Sequence, residues 1–370
     1  MSKSSLFFRT VIFLALTAVC CQESTIREGG QASKEAIFWN DAARYLAGLP
    51  VGPQSSFFRA AADPGYATHV ALMDRFWEKV NRTENENIRA FQREHLKKSP
   101  DSVVYPLSGA DFGNLYHLFP NAREYLMIAT ERPGRVLHPD NFRPEERIAS
   151  LGAIRMVISS IAQYNYLYSA YMRRYMDGYY VYGGTMPVVL IMMARMGHTP
   201  LKVEDVVINE NGRIEPGVTG AIQGYRIEFR ADGRVRELIY LPIWLSNEAV
   251  DPSTPSGKFL ASRKGGGLML KAAVYLLHWP KYDALRQHFL NSSELIVQDD
   301  SGIPFRDLTA FNVELFGNYI RPVPIGLVGY HPQPDLALAY RQRSQPISFH
   351  YGYGARVGTH YSNLQVARRK

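Results

Sequence analysis

Acids and small hydroxyl residues gather in two short stretches. One is Tyr105-Pro106-Leu107-Ser108-Gly109-Ala110-Asp111-Phe112, the other Gln298-Asp299-Asp300-Ser301-Gly302-Ile303-Pro304. Each follows a run of apolar residues that reads as a buried strand, Val103 to Leu107 and Leu295 to Val297. In open α/β sheets, ligands bind beyond the carboxyl ends of the strands. Ser108, Gly109 and Asp111 from the first turn, with Asp299, Asp300 and Ser301 from the second, are therefore candidate ligand-binding residues. Their carboxylates suit a polar ligand, or the acid and base or nucleophile of a hydrolysis. Asp299 and Asp300 are neighbours and point different ways, so a hydrolase needs Asp111 or Glu131 to complete a pair. Asp and Ser are also ordinary turn formers and helix caps, which makes a purely structural role the rival.

Glu131 and Lys271 extend the candidate set. Glu131 lies at the end of the next apolar run, Tyr125 to Ala129, twenty-two positions after Gly109. Dinucleotide-binding folds place a ribose-binding acid about twenty positions beyond their glycine turn. Lys264 and three glycines precede Leu268 to His278, which reads as a helix carrying Lys271, and helix N-termini attract anions. No Gly-x-Ser-x-Gly elbow, P-loop or His-x-x-x-His spacing occurs, so no cofactor and no metal site is expected.

The elements that position these residues can be read from periodicity. Residues 35–100 are helical, with Val70, Met73 and Trp77 on one stripe and charges opposite. A strand, turn, short helix (Phe112 to Leu118) and second strand follow. Ile154 to Tyr175 reads as one long amphipathic helix. Tyr225, Ile227 and Phe229 alternate with Arg226, Glu228 and Arg230. Asp232-Gly233 then turns the chain back into Val235 to Leu241, a strong hairpin signal. Residues 251 to 257 read as a linker, Tyr282 to Leu290 as a helix, and the Pro-, Tyr- and Gly-rich tail from Arg321 as a wrap around the body. The fold expected is α/β: a mixed, mostly parallel Rossmann-like sheet, a helical N-terminal portion and an inserted antiparallel hairpin.

Residues 1–21 have the layout of a secretory signal, with Lys3 and Arg9 ahead of the apolar run Val11 to Val19. A tether over 22–34 and a single body over 35–370 follow. The leader ends in Cys20-Cys21, which resembles a bacterial lipobox and makes either cysteine a candidate for lipidation; ordinary cleavage near Cys21 is the alternative. Both cysteines of the chain lie there, so the mature body has neither a disulfide nor a thiolate. The formal charge is +8, and without Lys3 and Arg9 the body carries 8 − 2 = +6. Its basic residues are scattered rather than concentrated in a nucleic-acid motif. An anionic envelope ligand or a membrane anchor is the expected partner, and nucleic acid is not. The exported chain reads as an envelope protein that binds a polar or anionic ligand, with an envelope hydrolase or a scaffold as alternatives.

Over 103–131 the layout Tyr-Pro-x-x-Gly-x-Asp followed by Glu resembles Rossmann-like methyltransferases, departing from them in its single glycine. The whole chain resembles a group of uncharacterised exported bacterial proteins carrying Tyr-Pro-x-Ser-Gly-x-Asp-Phe early and Gln-Asp-Asp-Ser-Gly-Ile-Pro late. That likeness implies export and a shared fold, and no mechanism.

Overall fold

Tyr125 to Ala129 has no charged side chain on either face of its pleat, and it becomes a strand buried from both sides. Tyr125 and Met127 enter one apolar cluster, Leu126 and Ile128 another. The same alternation recurs at Leu268, Met269 and Leu270 and at Ile239, Tyr240 and Leu241. Such doubly buried strands belong to sheets covered by helices on both faces.

The computed structural model describes residues 33–165, 169–176, 181–220, 222–323, 331–354 and 361–370. Residues 34–370 form one compact unit. Among the described residues, ten strands make one sheet. In chain order they are β1 (Ser102–Pro106), β2 (Glu124–Ala129), β5 (Thr199–Ile208), β6 (Ile214–Pro216) and β7 (Ile222–Ala231). The others are β8 (Arg234–Pro242), β9 (Gly266–Leu270), β10 (Ser293–Gln298), β11 (Phe311–Gly317) and β12 (Asn363–Arg369). A separate antiparallel pair joins β3 (Arg135–Val136) to β4 (Tyr182–Gly183). The spatial order of the large sheet is β11-β12-β10-β9-β1-β2-β8-β7-β5-β6.

The sheet is mixed. Its four ladders β10/β9, β9/β1, β1/β2 and β2/β8 are parallel, and the remaining five are antiparallel. The expected mostly parallel sheet is thus limited to five adjacent strands. The expected hairpin is β7 and β8, turning at Asp232 and Gly233, both with positive φ. It is less an insertion than a junction, because β8 also pairs in parallel with β2.

One face is covered by α1 (Lys34–Leu46), α2 (Tyr66–Val80), α3 (Glu86–His95), α4 (Phe112–Leu118), α5 (Pro144–Tyr164), α6 (Ser169–Met176) and α7 (Met186–Arg195), whose apolar residues share a cluster with Tyr105, Tyr125 and Tyr240. The other face carries α8 (Pro255–Ala261) and α9 (Asp283–Ser292). The helix α10 (Pro334–Arg343) packs on β11.

Four expectations are corrected. Leu268 to His278 is not a helix: β9 runs to Leu270, and short apolar runs do not by themselves distinguish buried strand from helix. The long helix to Tyr175 breaks at Asn165, whose left-handed φ of 53° ends α5. The tail supplies α10 and β12, and β12 lies between β10 and β11 rather than wrapping the body. The expected linker also contains the first residues of α8, capped by Thr254.

Candidate functional site

All eight candidate residues of the body come together along one edge of the sheet, at the carboxyl ends of β1, β2, β9 and β10. The first turn leaves β1 through Leu107 and Gly109, with φ of 60° and 54°. Ser108 is buried; its N–H donates to the Ile128 carbonyl (3.1 Å), tying the ends of β1 and β2 together. Asp111 caps α4, accepting from the Asn114 amide N–H.

The other bonds of Asp111 decide its character. Its Oδ1 accepts from Asn114 Nδ2 (2.8 Å), and its Oδ2 from Tyr105 (3.2 Å) and from Lys271 Nζ (2.7 Å). The Lys271 side chain has no solvent exposure, and its ammonium stands 5.9 Å from the centre of the Tyr351 ring. Lys271 is therefore not a helix-borne anion hook but half of a buried ion pair directly after β9. Asn114 continues the network to Asn165 Oδ1 (3.0 Å), and Asn165 Nδ2 donates to the His350 carbonyl (2.6 Å).

The second turn is equally closed. Asp299 and Asp300 are at most 1 % exposed. Asp299 Oδ1 accepts from the Ser301 hydroxyl (2.5 Å) and backbone N–H, and Oδ2 accepts from the N–H groups of Ala272 and Tyr353. Asp300 Oδ2 takes the Tyr275 hydroxyl (2.6 Å) and Oδ1 takes Asn363 Nδ2 (2.8 Å). Burial, and then the adjacent Asp300 charge, pushes the Asp299 carboxyl up to about 7. Burial raises Asp300 as well. Together the two acids tie the β9 loop, the β10 turn and β12 into one block. The β9 loop is held in an unusual backbone, with Ala272, Val274 and Tyr275 at φ of 52° to 53°. Such strain persists only where the surroundings over-determine it, as the donors to Asp299 and from Tyr275 do here.

Glu131 differs from these acids. It is 3 % exposed, and its Oε2 accepts from the Thr130 N–H (3.2 Å). Its carbonyl takes the Tyr240 hydroxyl (2.7 Å), which fixes the end of β2 against β8. Its Oε1 is buried with no hydrogen-bond partner among the described residues. Beside it, the Thr130 hydroxyl accepts from Arg173 (3.2 Å).

Two features went unread in the sequence. A cavity of about 620 Å³ opens at the opposite, amino-terminal edge of the parallel strands. Among its lining charges, Arg263 pairs with Glu124, and Glu237 with Arg226 just outside the cavity (3.6 Å). A second pocket of about 400 Å³ lies beyond β10, where His278 and His331 meet Arg306, Gln333 and Asp335. No motif spacing links two histidines fifty-three positions apart, so only folding shows their proximity. No group of three His, Cys, Asp or Glu side chains arranged for a metal occurs among the described residues. Nor is any described helix long and apolar enough to cross a membrane. Cys20 and Cys21, with the leader and nearly all of the tether, lie outside the described residues.

No protein-family model, no curated protein and no solved structure matches the chain. The geometry of the site alone therefore carries the functional reading.

Proposed function

We propose that this is an exported envelope protein that binds a polar, hydroxyl-bearing small molecule at the carboxyl ends of its parallel strands, against Glu131 and the Ser108-Gly109 turn. The observation that carries this reading is the buried Glu131 carboxyl with an unbonded Oε1. A buried acceptor without a donor costs about 1–3 kcal/mol, and a ligand hydroxyl is a donor of the kind it lacks.

The strand order supports the same place. Numbered along the chain, the five parallel strands β1, β2, β8, β9 and β10 lie side by side as third, second, first, fourth, fifth. Doubly wound sheets of this order bind ligands where the order reverses, next to the first strand, and an acid there holds ribose hydroxyls. Glu131 follows the second strand, which favours a Rossmann-like reading of this region and a ligand of the sugar or ribose class. An anionic ligand is less favoured, because Asp111 already neutralises Lys271. The hydrolase reading is weakened likewise, since Asp299 and Asp300 use both their oxygens inside the fold. The envelope location rests on the leader, with Cys20 or Cys21 as its lipid attachment.

Thermal melts with D-ribose, adenosine and N-acetylglucosamine as probes test the site. At least one probe at millimolar concentration should raise the melting temperature of the wild type and leave Glu131→Ala unmoved. A ligand at a hundred times its Kd adds about 2.7 kcal/mol, which is easily read. If none of the three shifts the wild type, or if the variant shifts equally, the proposal is wrong.

A further inference from the structure

The pocket beyond β10 is lined by two imidazoles, His278 and His331. The ring centres of His278 and His331 are 5.3 Å apart, with planes inclined by 52°. The Nε2 atoms of both rings are buried and have no hydrogen-bond partner among the described residues.

The spacing suits one ion. With metal–nitrogen bonds of ~2.1 Å, two ring centres around a tetrahedral ion stand roughly 5 Å apart. Aromatic rings flank them: Tyr275 meets His278 edge-on at 5.3 Å, and Trp279 meets His331 edge-on at 4.8 Å. Pro304, Pro332 and Pro334 line the same pocket with Gln333 and the opposite charges of Arg306 and Asp335.

We propose that His278 and His331 form a two-histidine site for a divalent transition-metal ion of the zinc class, opening onto this pocket. Two protein ligands leave the remaining positions of a tetrahedral ion to water or to donors of a bound molecule. The site is separate from Glu131 and stands or falls independently of the ligand proposed there.

Zn²⁺ titration of protein labelled with ¹⁵N-histidine reads the site directly. Two imidazole Nε2 resonances should move together to metal-bound positions with a single dissociation constant. His278→Gln and His331→Gln should each weaken that binding at least tenfold, while His288→Gln, which lies in α9 and lines the other cavity, should leave it unchanged. The wild-type spectra decide the matter even if a variant fails to fold. Absence of a paired shift overturns the proposal, as does unchanged affinity in both variants.

Discussion

Asp111 and Lys271 lie 160 positions apart and meet at 2.7 Å with almost no solvent contact. A buried pair of this kind gains little over a well-packed apolar pair, but losing one partner strands the other charge at a cost of about 3–5 kcal/mol. Lys271→Met should therefore lower the free energy of unfolding by that amount, measured by urea denaturation, and Asp111→Asn in the same chain should restore part of it. A loss below about 1 kcal/mol would mean that the pair does not hold the turn. The polar turns thus divide by role. Asp111, Asp299 and Asp300 spend their oxygens on the fold, and replacing them should cost stability before it costs binding. Glu131 alone among the candidate acids keeps an oxygen for something else. Its position after an apolar strand was legible in the sequence, whereas the free oxygen was not, because it depends on which donors the other strands bring.

At the scale of elements, β12 carries more than its composition suggests. Leu364 and Val366 face one apolar cluster, while between them Gln365 is fully buried and accepts from Gln298 (3.2 Å). A strand whose alternate positions are polar yet buried looks like a surface strand or a loop in sequence, and the Pro, Tyr and Gly content of the tail pointed to a wrap around the body instead. β12 pairs with β11 along its whole length and with β10 over Gln365 to Arg368. Removing residues 362–370 should therefore expose two long unpaired edges, which invite association with other chains. The truncated protein is expected in the aggregated or insoluble fraction on size-exclusion chromatography. Recovery of a folded monomer would show that β12 is dispensable. The β7–β8 hairpin behaved in the opposite way: alternating side chains and an Asp-Gly turn contain their own register, and it appeared where expected.

For the molecule as a whole, buried histidines set the response to acid. Burial lowers His69 and His198 to about 4, and His117 and His278 to about 3, against an ordinary value of 6.5. Below 6.5 the unfolded chain takes up protons at these rings and the folded chain does not, so stability falls as pH drops from about 6.5 toward 4. Asp299 and Asp300 act the other way. Their raised values favour folding in acid, a contribution that fades at Asp299 as pH rises from its ordinary 3.8 through about 7. Four imidazoles outweigh two coupled carboxyls. The urea midpoint should be lower at pH 5 than at pH 7, and a midpoint that is flat or higher at pH 5 would contradict this balance.

What the sequence by itself determined was local. The strand Tyr125 to Ala129, the turn after β1, the short helix α4 and the Asp232-Gly233 hairpin are each specified within a few residues, by side-chain alternation, capping or turn chemistry. The candidate residues were also found, because small polar residues at strand ends are visible as such. Only the tertiary structure decided their roles. Whether a buried acid is a free acceptor or half of an ion pair depends on partners from distant segments. Lys271 reaches Asp111, Asn363 reaches Asp300, and Tyr353 reaches Asp299. The meeting of His278 and His331 and the placing of β12 beside β10 are decided in the same way, by which strands become neighbours. No local pattern encodes that choice, since it is made by the burial of both sheet faces at once.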